Sequence, residues 1–382
     1  MTPFAIAAPG RILFGRGEAS RAVGLIRAFG LRGVVVHGAQ VARAAWLIDG
    51  LHEAGADVQA LPCPGEPTLA MLESALTVAR SHGAQWVAAI GGGAALDLGK
   101  AVAALAPGTT PPMDHLEVVG RGLPVSAPPM PFIAIPTTSG TGAEATKNAV
   151  IGSPEHGRKV SLRDDRMLAR LAIIDPALTD GCPHGVTLAS GLDALTQVIE
   201  PYVCTRATPF TDALTRPAIP LGIAALQRLM QGEDPGARDD LAWVSLCGGL
   251  ALANAGLGAV HGLAGVIGGL IPAPHGAICG ALLGPVLAVN RRRATGPLRA
   301  RLDEVCGVLA SAFATTPDEA PRALARWAAD AGLPTLAVLG LDTASHPAVA
   351  AAAVASSSMK ANPAELSAAD LTEVLRRADV RV

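Results

Sequence analysis

The sequence predicts an α/β domain with a parallel sheet over residues 1–178 and an all-helical domain over residues 179–382. Three observations carry this. Short apolar runs alternate with helix-like segments through the first half, the pattern of a parallel sheet covered on both faces. Strand signals stop after Asp175 and Pro176. Residues 241–290 then contain no Asp, Glu, Lys or Arg, as expected of helices buried on every side.

The elements follow in order. Residues 33–36 read as a buried strand, 41–54 as a helix and 58–61 as a second strand. Residues 68–82 fit a helix that stops at Gly83. Residues 86–90 form a strand that runs into three glycines, and 96–105 a helix. Residues 132–135 and 172–174 complete the strands. From about residue 179 helix follows helix. Residues 211–226 should kink or start late, because Pro217 and Pro220 lack the amide hydrogen a helix needs. The alanine run at 348–355 is an ordinary helix, since Ala is the best helix former.

Composition narrows the function. The chain has 382 residues, half of them hydrophobic but only 3% aromatic, so its cores are aliphatic. A formal net charge of -2 gives no electrostatic case for nucleic acid or an anionic membrane. Six cysteines, none in a Cys-x-x-Cys pair, suit buried free thiols in a reducing compartment. The N-terminus lacks a basic segment followed by an apolar core, so no signal peptide and a cytoplasmic location are expected. A membrane-spanning helix needs about 20 apolar residues. Asn254, His261, Pro272, Pro274 and His275 interrupt the uncharged stretch, so no membrane association is expected.

Two loops carry phosphate-binding chemistry. The strand at 86–90 leads into Gly91, Gly92 and Gly93, and then into a helix bearing Asp97 and Lys100. Glycines at such a junction let the backbone approach a phosphate, and a helix N-terminus offers free N–H groups. There is no GxGxxG. The strand at 132–135 leads into Pro136, Thr137, Thr138, Ser139, Gly140, Thr141 and Gly142. Hydroxyls at a strand end can donate to a pyrophosphate, and ligands of open α/β sheets bind at the carboxyl ends of strands. Each loop alone also suits a plain turn or helix cap. Together they favour a phosphate-bearing ligand.

A metal site is the second candidate. Asp193 and Gln197 stand at i and i+4 on one helix face. His261 and His275 lie in the uncharged stretch, on two helices separated by Pro272 and Pro274. A carboxylate and two imidazoles suit a divalent transition metal. A hydrogen-bonded buried polar cluster is the alternative.

These blocks, in this order, resemble the iron-containing alcohol dehydrogenases, a group that includes lactaldehyde, butanol and glycerol dehydrogenases and maleylacetate reductases. The resemblance rests on Gly91, Gly92, Gly93, Asp97 and Lys100; on residues 136–142 with Glu144; on Lys159, Asp175 and Pro176; on residues 190–196; and on residues 254–261 and 274–276. It implies a Rossmann-like N-terminal domain and a helical C-terminal domain, the dehydroquinate synthase-like architecture, with the cofactor in the cleft between them. It implies NAD or NADP contacts at Gly91, Gly92, Gly93, Asp97, Thr137, Thr138, Thr141, Asn148 and Lys159. It implies a divalent metal, Fe2+ or Zn2+, at Asp193, Gln197, His261 and His275. It also implies a small alcohol, aldehyde or ketone as substrate and a homodimer.

Two positions depart from the family pattern. Gln197 stands where relatives commonly have His, and a neutral amide oxygen should bind a transition metal more weakly. Gly265 stands where a second active-site histidine is often found, which leaves room for a bulkier substrate. Gly38 follows the strand at 33–36 where NAD-preferring relatives often place an acid, so NADP is allowed. The expected reaction is hydride transfer between NAD(P) and an alcohol/carbonyl pair, assisted by a metal. A metal-independent reductase of the same fold is one alternative. A dehydroquinate synthase-like lyase is another, and it would need basic residues for an acidic substrate that residues 241–290 do not supply. A degenerate binding protein that keeps only the cofactor site is a third.

Overall fold

The computed structural model describes residues 3–380, and its polypeptide divides into two units. One comprises residues 7–138 and 142–180. The other comprises, among the described residues, 181–380 with 139–141 and the N-terminal residues 3–6.

The first unit contains β1 (Ile12–Phe14), α1 (Ala22–Arg27), β2 (Arg32–His37), α2 (Ala45–Glu53), β3 (Asp57–Pro62), α3 (Leu69–His82), β4 (Trp86–Gly91), α4 (Gly93–Leu105) and the short α5 (Pro112–His115). It continues with β5 (Phe132–Pro136), β6 (Asn148–Ser153), β7 (Arg158–Arg163) and β8 (Leu171–Ile174). Six strands form one sheet in the order β1–β8–β5–β4–β2–β3, every pair parallel. The central strands β4, β5 and β8 are buried along their whole length, as their continuous Val, Ala and Ile runs require. One face packs against Leu72, Leu76, Leu96 and Val102 of α3 and α4; the other packs against Ile26, Leu47 and Leu51 of α1 and α2.

The local signals explain the helix ends. Thr68 caps α3 by accepting from the Met71 amide, and Gly83 ends it in the left-handed conformation. The segment expected to be one helix from residue 41 opens with a 3-10 turn at Val41–Arg43 before α2 begins. The hairpin of β6 and β7 was not expected from the sequence. Its strands alternate buried residues with half-buried or exposed ones and pair antiparallel, apart from the main sheet.

Among the described residues the α-helices of the second unit are α6 (His184–Val203), α7 (Pro209–Gln231), α8 (Pro235–Asn254), α9 (Ala259–Leu270), α10 (His275–Arg293), α11 (Gly296–Ala312), α12 (Ala320–Asp330), α13 (His346–Val354) and α14 (Ala368–Asp379), and no strand lies among them. Its core is Leu, Ile, Val and Ala from nearly every helix. The late start expected from Pro217 and Pro220 does not occur, for α7 begins at Pro209 and runs through both. Both prolines lie on its exposed side, as do Ala213 and Arg216, whose carbonyls lose their intrahelical donors. Water can serve those carbonyls, while Thr215, Ala218, Ile219 and Ile223 anchor the opposite side. All six cysteines are buried and free. No single helix among the described residues is long and apolar enough to cross a membrane; α8 and α9 pass that test only as a pair, bent by 95°.

Candidate functional site

The strand order fixes where a ligand can approach the sheet. The chain leaves β2 for β3 on one side, then returns to β4 on the other, so the order reverses between β2 and β4. In open α/β sheets the crevice at such a switch point, beyond the carboxyl ends of the strands, receives the ligand. Register places His37 opposite Ile90 and Gly91 opposite Pro136. The ends of β2, β4 and β5 therefore present Gly38, the three glycines and the threonine loop side by side. The Thr137 amide donates to the Gly91 carbonyl at 2.9 Å. Gly92 is the N-cap of α4, and a Cβ there would stand 3.3 Å from the Thr138 hydroxyl. A Cβ on Gly38 would meet nothing within 4 Å.

The other residues implied as cofactor contacts have visible structural partners. Asp97 accepts from the Val150 amide at 2.9 Å and ties α4 to β6. Asn148 opens β6, and its carbonyl accepts from Lys100 Nζ at 2.8 Å. Lys100 also donates to the Thr146 hydroxyl, and burial pulls its pKa down against Asp97 and Glu144. Burial pushes the Glu144 carboxyl up to about 7. Lys159 on β7 lies 3.4 Å from Glu66. Thr141 belongs to the helical unit, not to the unit of the glycine loop.

The helical unit gathers Asp193, His261 and His275. Asp193 is on α6, His261 in the first turn of α9, and His275 opens α10. Asp193 Oδ1 lies 3.4 Å from His261 Nε2, and the two imidazole rings are 5.4 Å apart between centroids. Gly276 makes this possible. A Cβ at that position would come within 2.3 Å of the Ala189 carbonyl oxygen and 3.3 Å of Asp193 Cβ, so only glycine lets α10 begin against α6. Cys279, one turn along α10, joins the group, and one donor atom from each of the four residues lies within 4.8 Å of all the others.

Two buried oxygens here, Asp193 Oδ1 and Gln197 Oε1, have no hydrogen-bond partner. A buried polar atom without a partner costs about 1–3 kcal/mol, and a ligand would relieve it. Gln197 Nε2 donates to the Gly140 carbonyl at 3.1 Å, which fixes the amide. Glu200, which the sequence reading did not single out, lies seven residues beyond Asp193 on α6. Its carboxylate accepts the Val260 amide at 2.7 Å and stands 2.6 Å from His261 Nδ1. A carboxylate on the far nitrogen holds Nε2 free to ligate, the usual outer partner of a metal-binding histidine.

The electrostatics favour bound positive charge. Burial alone would raise the Asp193 carboxyl, but His261, His275 and Cys279 outweigh it and hold it low. Burial opposes charge on the imidazoles too. Cys279, Asp193 and Glu200 overcome this at His261, and Cys279 and Asp193 push His275 up to about 9. The donor set fits a divalent cation, which would act as a Lewis acid on a substrate oxygen.

A parallel sheet with a glycine and hydroxyl rim at its switch point stands in one chain with helices that gather a carboxylate and two imidazoles, a combination suited to enzymes that use a nucleotide and a divalent cation. Comparison makes this specific. Residues 9–176 match the family model of iron-containing alcohol dehydrogenase, and residues 187–379 match that of the Fe-containing alcohol dehydrogenase family, C-terminal. The chain is 36% identical over 291 residues to the probable alcohol dehydrogenase EutG of Escherichia coli (strain K12), covering 76% of this chain and 72% of that protein. It is 33% identical over 318 residues to lactaldehyde reductase of Escherichia coli (strain K12), covering 82% and 81%. A crystal structure of a 1,3-propanediol oxidoreductase aligns with a TM-score of 0.88 at 27% identity, over 99% of this chain and 100% of that one. The chain belongs to the iron-containing alcohol dehydrogenase family. It is an NAD(P)-dependent oxidoreductase of alcohols and carbonyl compounds, and the family implies a divalent metal.

Proposed function

We propose that this enzyme reduces an aldehyde or ketone, or oxidises the corresponding alcohol, with the substrate oxygen at a divalent cation held by Asp193, His261 and His275 and with Gln197 beside it. The observation that carries this is the convergence of those three donors around an unpartnered buried carboxylate oxygen, with Glu200 behind His261. Chelation should abolish activity and metal return should restore it. Full activity after exhaustive chelation, in protein shown by elemental analysis to hold no metal, would favour the metal-independent alternative.

The cofactor pyrophosphate is assigned to Gly91, Gly92 and Gly93 with Thr137 and Thr138; Asp97, Thr141, Asn148 and Lys159 enter through the motif match. NADP is tolerated because Gly38 presents no carboxylate to a 2′-phosphate. The substrate is bulkier than a short alcohol. Gly265 supports this, since a Cβ there would meet nothing within 4 Å. Gly265→Phe should therefore lower kcat/KM for large aldehydes more than for small ones, and an equal loss for both would remove the argument. We further assign the protein to the cytoplasm as a homodimer acting on small molecules, without nucleic acid or membrane. Sedimentation of the purified protein tests the dimer.

A further inference from the structure

We propose that Cys279 is a protein ligand of the metal in this chain, supplying the strong donor that Gln197 does not, and that the resulting centre prefers zinc to iron. This rests on the metal site proposed above.

Two pairs of donors already have the spacing of a small tetrahedral centre. A tetrahedron with bonds of about 2.0–2.3 Å has edges of about 3.3–3.8 Å. His275 Nε2 and Cys279 Sγ, one helical turn apart on α10, are separated by 3.5 Å. His261 Nε2 and Asp193 Oδ1 are separated by 3.4 Å. All four donors lie within 4.8 Å of one another, and Asp193 Oδ1 has no hydrogen-bond partner. Among the described residues no other cysteine belongs to such a group.

Gln197 is a poorer candidate. Its amide is neutral, and its nitrogen is held by the Gly140 carbonyl. Charge also favours the thiolate. Asp193 and Cys279 carry two negative charges when ligating, opposite the two positive charges of the ion, and Glu200 keeps its own charge behind His261. Charge compensation matters in a buried site to which residues 241–290 contribute no Asp, Glu, Lys or Arg. The Glu200 carboxylate is already engaged by His261 and the Val260 amide. On ligation the Cys279 thiol loses its proton to solvent as the sulfur–metal bond forms, and nothing is oxidised or reduced. Thiolate is a soft donor and moves the selectivity of a carboxylate–imidazole set toward zinc.

The test uses the full chain, stripped by chelation and reloaded with cobalt(II) alone. One cobalt per chain with a near-ultraviolet sulfur-to-cobalt charge-transfer band is the expected result, since carboxylate, amide and imidazole ligands give no such band. Cys279→Ala should lose the band and bind zinc at least about tenfold more weakly, the scale found when even outer partners of a ligand are removed. Gln197→Ala should keep the band. One cobalt per chain without the band in the unaltered protein would overturn the role of Cys279 and leave the site of Asp193, His261 and His275 standing. Folded protein that binds no cobalt would overturn both. Retention of iron over zinc from an equal mixture would overturn the stated preference.

Discussion

Gly276→Ala isolates the close approach that brings His275 to Asp193 in the proposed metal site. The added methyl would stand 2.3 Å from the Ala189 carbonyl oxygen and 2.7 Å from its carbon. Both are backbone atoms and cannot swing away. Contacts of that kind are essentially never found under 3.0 Å, so the start of α10 must retreat from α6 by at least about 0.7 Å. Such overpacking costs about 1–3 kcal/mol. For a unit of this size each kcal/mol is worth about 2–4 °C, so Tm should fall by about 2–12 °C. The retreat moves His275 away from Asp193 by more than the ~0.2 Å tolerance of a metal–ligand bond. Zinc affinity, measured by competition with a chromophoric chelator, should therefore drop at least about tenfold. Calorimetry of the metal-free protein separates the packing loss from the metal loss. An unchanged Tm together with unchanged zinc affinity would refute the claim that this glycine sets the distance between the two helices.

Other expectations follow from the same geometry. Glu200→Gln keeps the shape but removes the charge behind His261, so zinc affinity should fall about 10–100-fold while circular dichroism is unchanged; equal affinity would deny Glu200 its role. Gln197→His should raise metal affinity, and a titration that shows no gain would place residue 197 outside the site. Gly92→Leu is compatible with the backbone there, φ −74° and ψ −177°, but its Cβ would stand 3.3 Å from the Thr138 hydroxyl, which must shift by a few tenths of an ångström; NAD(P)H binding by fluorescence titration should weaken, and unchanged affinity would move the pyrophosphate elsewhere. Gly38→Asp fits open space and should lower kcat/KM for NADPH relative to NADH, with the opposite movement refuting the placement of the 2′-phosphate.

Most strands legible in the sequence are buried on both faces, marked by continuous apolar runs such as residues 86–90; β3, read from residues 58–61, is the exception, since most of its residues are exposed. The β6–β7 hairpin was not legible. Half its residues face out, and polar Asn148, Arg158 and Lys159 break the apolar run. The unbroken α7 was hidden for a different reason: propensity counts against Pro217 and Pro220, while only tertiary position reveals that the freed carbonyls face outward. In the site, Asp193, His261 and His275 were readable from motif order. Glu200 and Cys279 were not, though both sit at helical spacing from a candidate ligand. Glu200 resembled any acid on a helix, and Cys279 resembled five other buried cysteines until the fold brought it 3.5 Å from His275.

Residues 139–141 group with the helices, while the chain before and after them groups with the sheet. This has a consequence for synthesis on the ribosome. Domains generally fold from the N-terminus as they emerge, at about 5–20 residues per second. The strands of the sheet are all made by residue 174, but the Gly140 carbonyl must wait for Gln197, and the Gly140 backbone must wait for Ser190, which it packs against. The hydroxyl loop can therefore take its final form only after α6 has been translated. A fragment ending at residue 180 should keep the sheet and leave residues 139–141 without their partners, so this short stretch of the loop is ordered late in the life of the nascent chain, after the sheet beside it.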